Sequence, residues 1–124
     1  MSGKRDPTVT DLMGMEPMEL AEYLGRMYSI TIPLTLTDAN DLKLASEILS
    51  TAANAYSFLS NMRIIARVQK RALKRQRESA KEIEDMLARE EIFENQAAVV
   101  KQAYETVSRM VTIKQQIDQE LKML

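Results

Sequence analysis

The chain has 124 residues, with 17 Lys plus Arg against 18 Asp plus Glu, only three Gly and three Pro, and no Cys, His or Trp. Without Cys or His there can be no disulfide, no zinc site of the Cys/His kind, no cysteine nucleophile and no His-based triad, so a non-enzymatic protein with no cofactor and no metal is expected. The length suits one domain, and 45% hydrophobic content with 5% aromatics predicts a small, aliphatic, Met-rich core.

The first fifteen residues (MSGKRDPTVTDLMGM) lack periodicity and hold Pro7 and Gly14, which reads as a flexible tail or a late-docking arm. A single helical domain is expected over residues 16–124. Pro17 suits a first helical turn, and Glu16 and Glu19 sit well at the positive end of a helix dipole. Leu20, Tyr23, Leu24, Met27 and Tyr28 then share one face, which predicts a helix over about 17–28. Ile30, Ile32, Leu34 and Leu36 alternate with Ser, Thr and Pro, so residues 29–36 are expected to run extended as a strap across helices. Pro33 removes a donor and rules out a central strand, leaving a strand contact with another copy as the minor alternative.

Thr37, Asp38, Asn40 and Asp41 form an N-cap cluster, and beyond it no Gly or Pro occurs through residue 124. Helices are therefore predicted over about 38–77 and about 80–122. The break is expected at Glu78-Ser79-Ala80, where Ser79 and Glu82 have capping-box spacing, with Asn95 as a second candidate. The two arms are of similar length, each on the order of 60 Å at 1.5 Å rise per residue. The expected architecture is all-α: a short helix, a strap, and a long antiparallel helical hairpin or coiled-coil-like bundle. Val100, Ala103, Val107, Met110, Ile117, Leu121 and Leu124 follow an a/d heptad interrupted by Lys114.

The near-neutral total hides a segregation of charge: net −4 over residues 1–60, +7 over 61–81 and −4 over 82–124. On a helical wheel Arg63, Arg67, Lys70, Lys74, Arg77 and Lys81 fall on one side, widened by Arg71 and Arg75, with Ile65, Val68 and Ala72 opposite. Such a cationic ridge could track phosphates with salt-sensitive affinity, and no aromatic accompanies it for base stacking. The bland alternative is a solvated face, or one neutralised by Glu82, Glu84, Asp85, Glu90, Glu91 and Glu94 folding back across the turn. Glu90, Glu91 and Glu94 could in principle ligate a metal, but a solvated acidic face near a helix start explains them more simply. The nine methionines are assigned mostly to packing, with Met13, Met15 and Met18 expected to be exposed.

Leu44, Phe58, Met62 and Ile64 on one arm, and Ile92, Phe93, Val99 and Ile113 on the other, lie off the main stripes, so a homo-oligomer, most simply a dimer, is expected. Val100, Val107, Met110, Ile117 and Leu121 are its expected interface. No stretch approaches the ~18 consecutive apolar residues of a membrane span, and the N-terminus lacks the apolar run of a signal peptide, so a cytoplasmic location without membrane contact is expected. Two functional readings follow. In one, the cationic face binds nucleic acid or a nucleic-acid-handling enzyme. In the other, the chain is a structural or regulatory helical adaptor with no nucleic-acid contact.

A His-free, Cys-free helical chain with a basic helix (RIIARVQKRALKRQR) followed by an acidic one (EIEDMLAREEIFE) resembles small accessory proteins of bacteriophages and mobile elements. That group includes helical inhibitors of host defence nucleases of the anti-CRISPR type. The resemblance implies a function exerted by binding, with the basic ridge competing for or docking onto a nucleoprotein enzyme.

Overall fold

A computed structural model describes residues 7–33, 35–36 and 39–124. Leu34, the Thr37 and Asp38 of the expected N-cap cluster, and the first six residues of the expected tail lie outside the described residues. Within them the fold is all-α: α1 (Val9–Gly14), α2 (Pro17–Met27), α3 (Ala39–Arg75) and α4 (Ala80–Lys122), with no strand.

Helix α1 corrects the expectation of a flexible tail. Thr8 Oγ1 accepts the Asp11 N–H at 3.1 Å and Asp11 Oδ2 accepts the Thr8 N–H at 2.9 Å, a capping box around a single turn and a half. Six residues are too few for a helix to persist alone. This one is held because Leu12 and Met13 are buried in the core and because the Met15 carbonyl accepts a bond from Arg89 Nε at 2.9 Å. Met13 and Met15 therefore pack rather than face solvent, and only Met18, 80% exposed, behaves as expected.

Pro17 opens α2 at its first turn, and Leu20 and Leu24, one turn apart, are both fully buried as the helix packs on α4. Tyr28 follows, its ring tilted against Phe58 of α3 at 6.1 Å between centroids. The described part of 29–36 adopts no regular structure; Ile30 packs on the core and Ile32 is partly exposed.

The body of the molecule is the antiparallel hairpin of α3 and α4, roughly 55 and 65 Å long at 1.5 Å per residue. Its seam is written in sevens: Ala45, Ala52, Leu59 and Ala66 on α3, and Met86, Phe93, Val100 and Val107 on α4, all buried. A 3.5-residue apolar period is the signature of left-handed supercoiled packing. The α3 side is mostly alanine, which lets the partner helix come close, and Phe93 on α4 supplies bulk. Helix α4 runs without a break through Asn95, the second turn candidate, because Phe93, Ala97 and Val100 on either side of it stay buried in the seam.

The hairpin turns where the capping signal places it. Ser79 Oγ accepts the Glu82 N–H at 3.3 Å, one half of the expected capping box. On the α3 side the Glu78 N–H bonds to the Leu73 carbonyl at 3.0 Å and the Arg77 N–H to the Lys74 carbonyl at 3.2 Å, the paired bonds of a Schellman ending. That motif needs a left-handed residue, and Arg77 supplies it at φ 55° where glycine is the usual occupant. Arg77→Gly is therefore expected to stabilise the fold by about 0.5–1 kcal/mol, the relief of left-handed strain outweighing the entropy that glycine adds to the unfolded chain. A urea titration reads this as a higher midpoint at unchanged slope.

The accessible surface is 8935 Å², about a third above the roughly 6,700 Å² of a compact monomer of this mass. The excess follows from the shape: α1 and α2 cover only part of a long two-helix rod.

Candidate nucleic-acid interface

The eight expected cations do not form one ridge. Helix α3 buries Leu59, Met62 and Ala66, whereas Ile65 is only partly buried against the core and Val68 and Ile64 are more than half and half exposed. The rotation follows from size: the alanine track lets α4 approach most closely, so the seam forms there and the larger β-branched residues are left at its edge. The basic residues that flank the seam are consequently drawn toward α4.

Arg67 Nε bonds to Glu90 Oε1 at 2.9 Å and Lys70 Nζ to Glu90 Oε2 at 2.6 Å, while Arg63 lies 3.9 Å from Glu94. Glu90 is buried, the one charged side chain so placed among the described residues. The Lys70 hydrogen bond holds its carboxyl below the usual glutamate range; burial pushes the other way, and the Arg67 hydrogen bond and both positive charges add to the lowering. Glu90 is thus a structural clamp that satisfies two cations from the opposite helix. Its role was partly legible, since it lies seven residues before Ala97 on the flank of the seam, where a carboxylate can enter only with partners.

Past the turn, Lys81 lies in α4 and bonds to Asp85 at 3.0 Å, a contact that with the charge of Asp85 raises its ammonium pKa above 10.5. Arg77 has left the helix. The remaining cations are Arg71, Lys74 and Arg75 in the last turns of α3, with Arg77 in the turn itself. All four are exposed, and none makes an ion pair among the described residues. Their place at a helix C-terminus is favourable in itself, because they face the negative end of the α3 dipole. They gather at the tip of the hairpin.

The expected oligomer interface also divides. Val100 and Val107 are fully buried within one chain and belong to the hairpin core, so substituting them would unfold the hairpin rather than separate subunits. Met110 is half-buried, whereas Ile117 and Leu121 are 48% and 61% exposed. No cluster of three or more acidic residues is placed to hold a metal ion among the described residues, and Glu91 and Glu94 are exposed. No helix among them is long and apolar enough to cross a membrane.

The chain matches no protein-family model, no curated protein and no solved structure.

Proposed function

We propose that the chain is a non-enzymatic binding protein whose hairpin tip engages nucleic-acid phosphates, either free or held by a nucleic-acid-handling enzyme. The observation that carries this reading is the group of four exposed, unpaired cations Arg71, Lys74, Arg75 and Arg77 at the end of a long rod. Ammonium and guanidinium groups at such a tip suit contact with the phosphate backbone, and none of its side chains is aromatic for base stacking.

If all four cations neutralise phosphates, the binding constant for a labelled duplex oligonucleotide falls with salt at a logarithmic slope of about −3.5. Replacing the four with alanine is expected to flatten that slope and abolish binding, measured by fluorescence anisotropy across a salt series. Affinity indifferent to salt, or unchanged in the quadruple variant, refutes the phosphate reading.

The alternative, a helical adaptor without nucleic-acid contact, draws on the internal use of Arg63, Arg67 and Lys70 by Glu94 and Glu90. Capture of a nuclease-resistant protein partner that tolerates the quadruple variant would favour it.

A further inference from the structure

One flank of α4 changes character along its length. Arg89, Gln96, Ala103, Met110, Ile117 and Leu124 follow each other at intervals of seven and so share one track. Over the first half that track is covered. Arg89 bonds to the Met15 carbonyl, and Gln96 and Ala103, with Val99 and Thr106 beside them, face Gly25, Tyr28 and Ile30 across an open groove of about 490 Å³. Beyond Thr106 the track is more open. Met110 is half-buried, and Ile113, Ile117, Leu121 and Leu124 are 49%, 48%, 61% and 100% exposed.

The bare half has a symmetry of its own. Around Ile117 its apolar residues lie at minus seven, minus four, plus four and plus seven: Met110, Ile113, Leu121 and Leu124. Reversing the direction of the helix leaves this pattern unchanged, which is the condition for a twofold-symmetric antiparallel contact. Within the helix two such stripes meet in three apolar layers, Ile117 on Ile117 and Ile113 on Leu121 twice, with Met110 set toward Leu124 just past the end of α4.

The flank next to α3 is compatible in charge. Lys114 and Asp118, 2.8 Å apart within the chain, lie on one side of the stripe, and the twofold sets each copy's Lys114 within about a turn of the other's Asp118. Lys114 and Glu120 lie three residues from the centre and clear their own symmetry mates, whereas Asp118 lies one residue from it, so the two Asp118 carboxylates share the middle of this flank, each beside the other copy's Lys114.

We propose that a second copy of this chain covers the bare flank, the two α4 helices crossing antiparallel at Ile117 in a twofold dimer. The second copy takes over, beyond Thr106, the place that α1, α2 and the segment after them fill nearer the turn. The hairpin tips then point away from each other, roughly 110 Å apart at 1.5 Å per residue. This arrangement does not rest on the phosphate reading; if both hold, the protein is a two-ended clamp whose tips reinforce each other on one long polyanion.

Sedimentation of the intact chain at micromolar concentrations is expected to give about 28 kDa, twice the 14.1 kDa of one chain. Ile117→Asp is expected to give the single-chain mass with unchanged helical circular dichroism. Register is tested in the cysteine-free background: Ile113→Cys mixed with Leu121→Cys should form an oxidised cross-link that neither variant forms alone. A monomer at all concentrations, or a dimer indifferent to Ile117→Asp, overturns the proposal. Self-cross-linking of Ile113→Cys would show a parallel contact and overturn it equally, and this readout holds even if Ile117→Asp fails to fold.

Discussion

Phe93→Ala is expected to lower the unfolding free energy by about 3–5 kcal/mol, the range for deleting a fully buried aromatic side chain. Phe93 is 0% exposed and is the largest fully buried side chain among the described residues. The upper part of the range applies because the site collapses poorly. By the register of the Arg63–Glu94 and Arg67–Glu90 contacts the α3 seam residue nearest Phe93 is Ala66, which has no rotamers with which to fill a void. Against a total stability of about 5–15 kcal/mol for a domain, one such loss removes a large share of the folded population. Urea unfolding followed by circular dichroism should show a much lower midpoint with the slope unchanged, and a loss below about 1 kcal/mol would mean that the seam is not the main source of stability.

Glu90→Ala is the second large effect, expected at about 2–4 kcal/mol. Removing one partner of a buried ion pair usually costs about 3–5 kcal/mol because it strands the other charge; the lower figure here reflects Arg67, whose side chain is 40% exposed and can recover water. Lys70 cannot do so easily, with its side chain 15% exposed. The pH dependence has a definite sign. The folded-state pKa of Glu90 is lowered from 4.5, so its contribution is fully present above that value and is lost as pH falls through the lower, folded-state pKa. The stability difference between the wild type and Glu90→Gln should therefore be constant near neutrality and shrink as the solution is acidified below about pH 4.5. A difference that grows on acidification would show that the carboxyl is held protonated in the fold, contrary to its two cationic partners.

Much of the hairpin was legible in the residues. The absence of Gly and Pro after Pro33 fixed two long helices, and Ser79 with Glu82 three residues on marked the turn. What escaped was the other side of that turn, because no glycine announces it and Arg77 adopts the left-handed conformation in glycine's place. Helix α1 escaped for a different reason. Thr8 and Asp11 carry a capping signal, but a helix of six residues exists only through what Leu12 and Met13 touch. Wheel arithmetic places Arg63, Arg67, Lys70 and Lys74 on one side of α3. It failed to see that the wheel ends at Arg75 and that alanine, rather than valine or isoleucine, would choose which side of α3 meets α4.

The sequence by itself determined what is local or periodic: helix type and length, the position of the turn, the net +7 over residues 61–81, and the seven-residue spacing in α4. Only the tertiary structure decided how those periodic surfaces were apportioned. Val100 and Val107 went to the hairpin seam, Ile117 and Leu121 to an uncovered flank, Lys70 and Arg67 to Glu90, and Arg71, Lys74, Arg75 and Arg77 to an open tip. The reason is that a heptad states which residues share a face, whereas which neighbour covers that face depends on how far each packing element reaches, and α1 and α2 stop halfway along the rod.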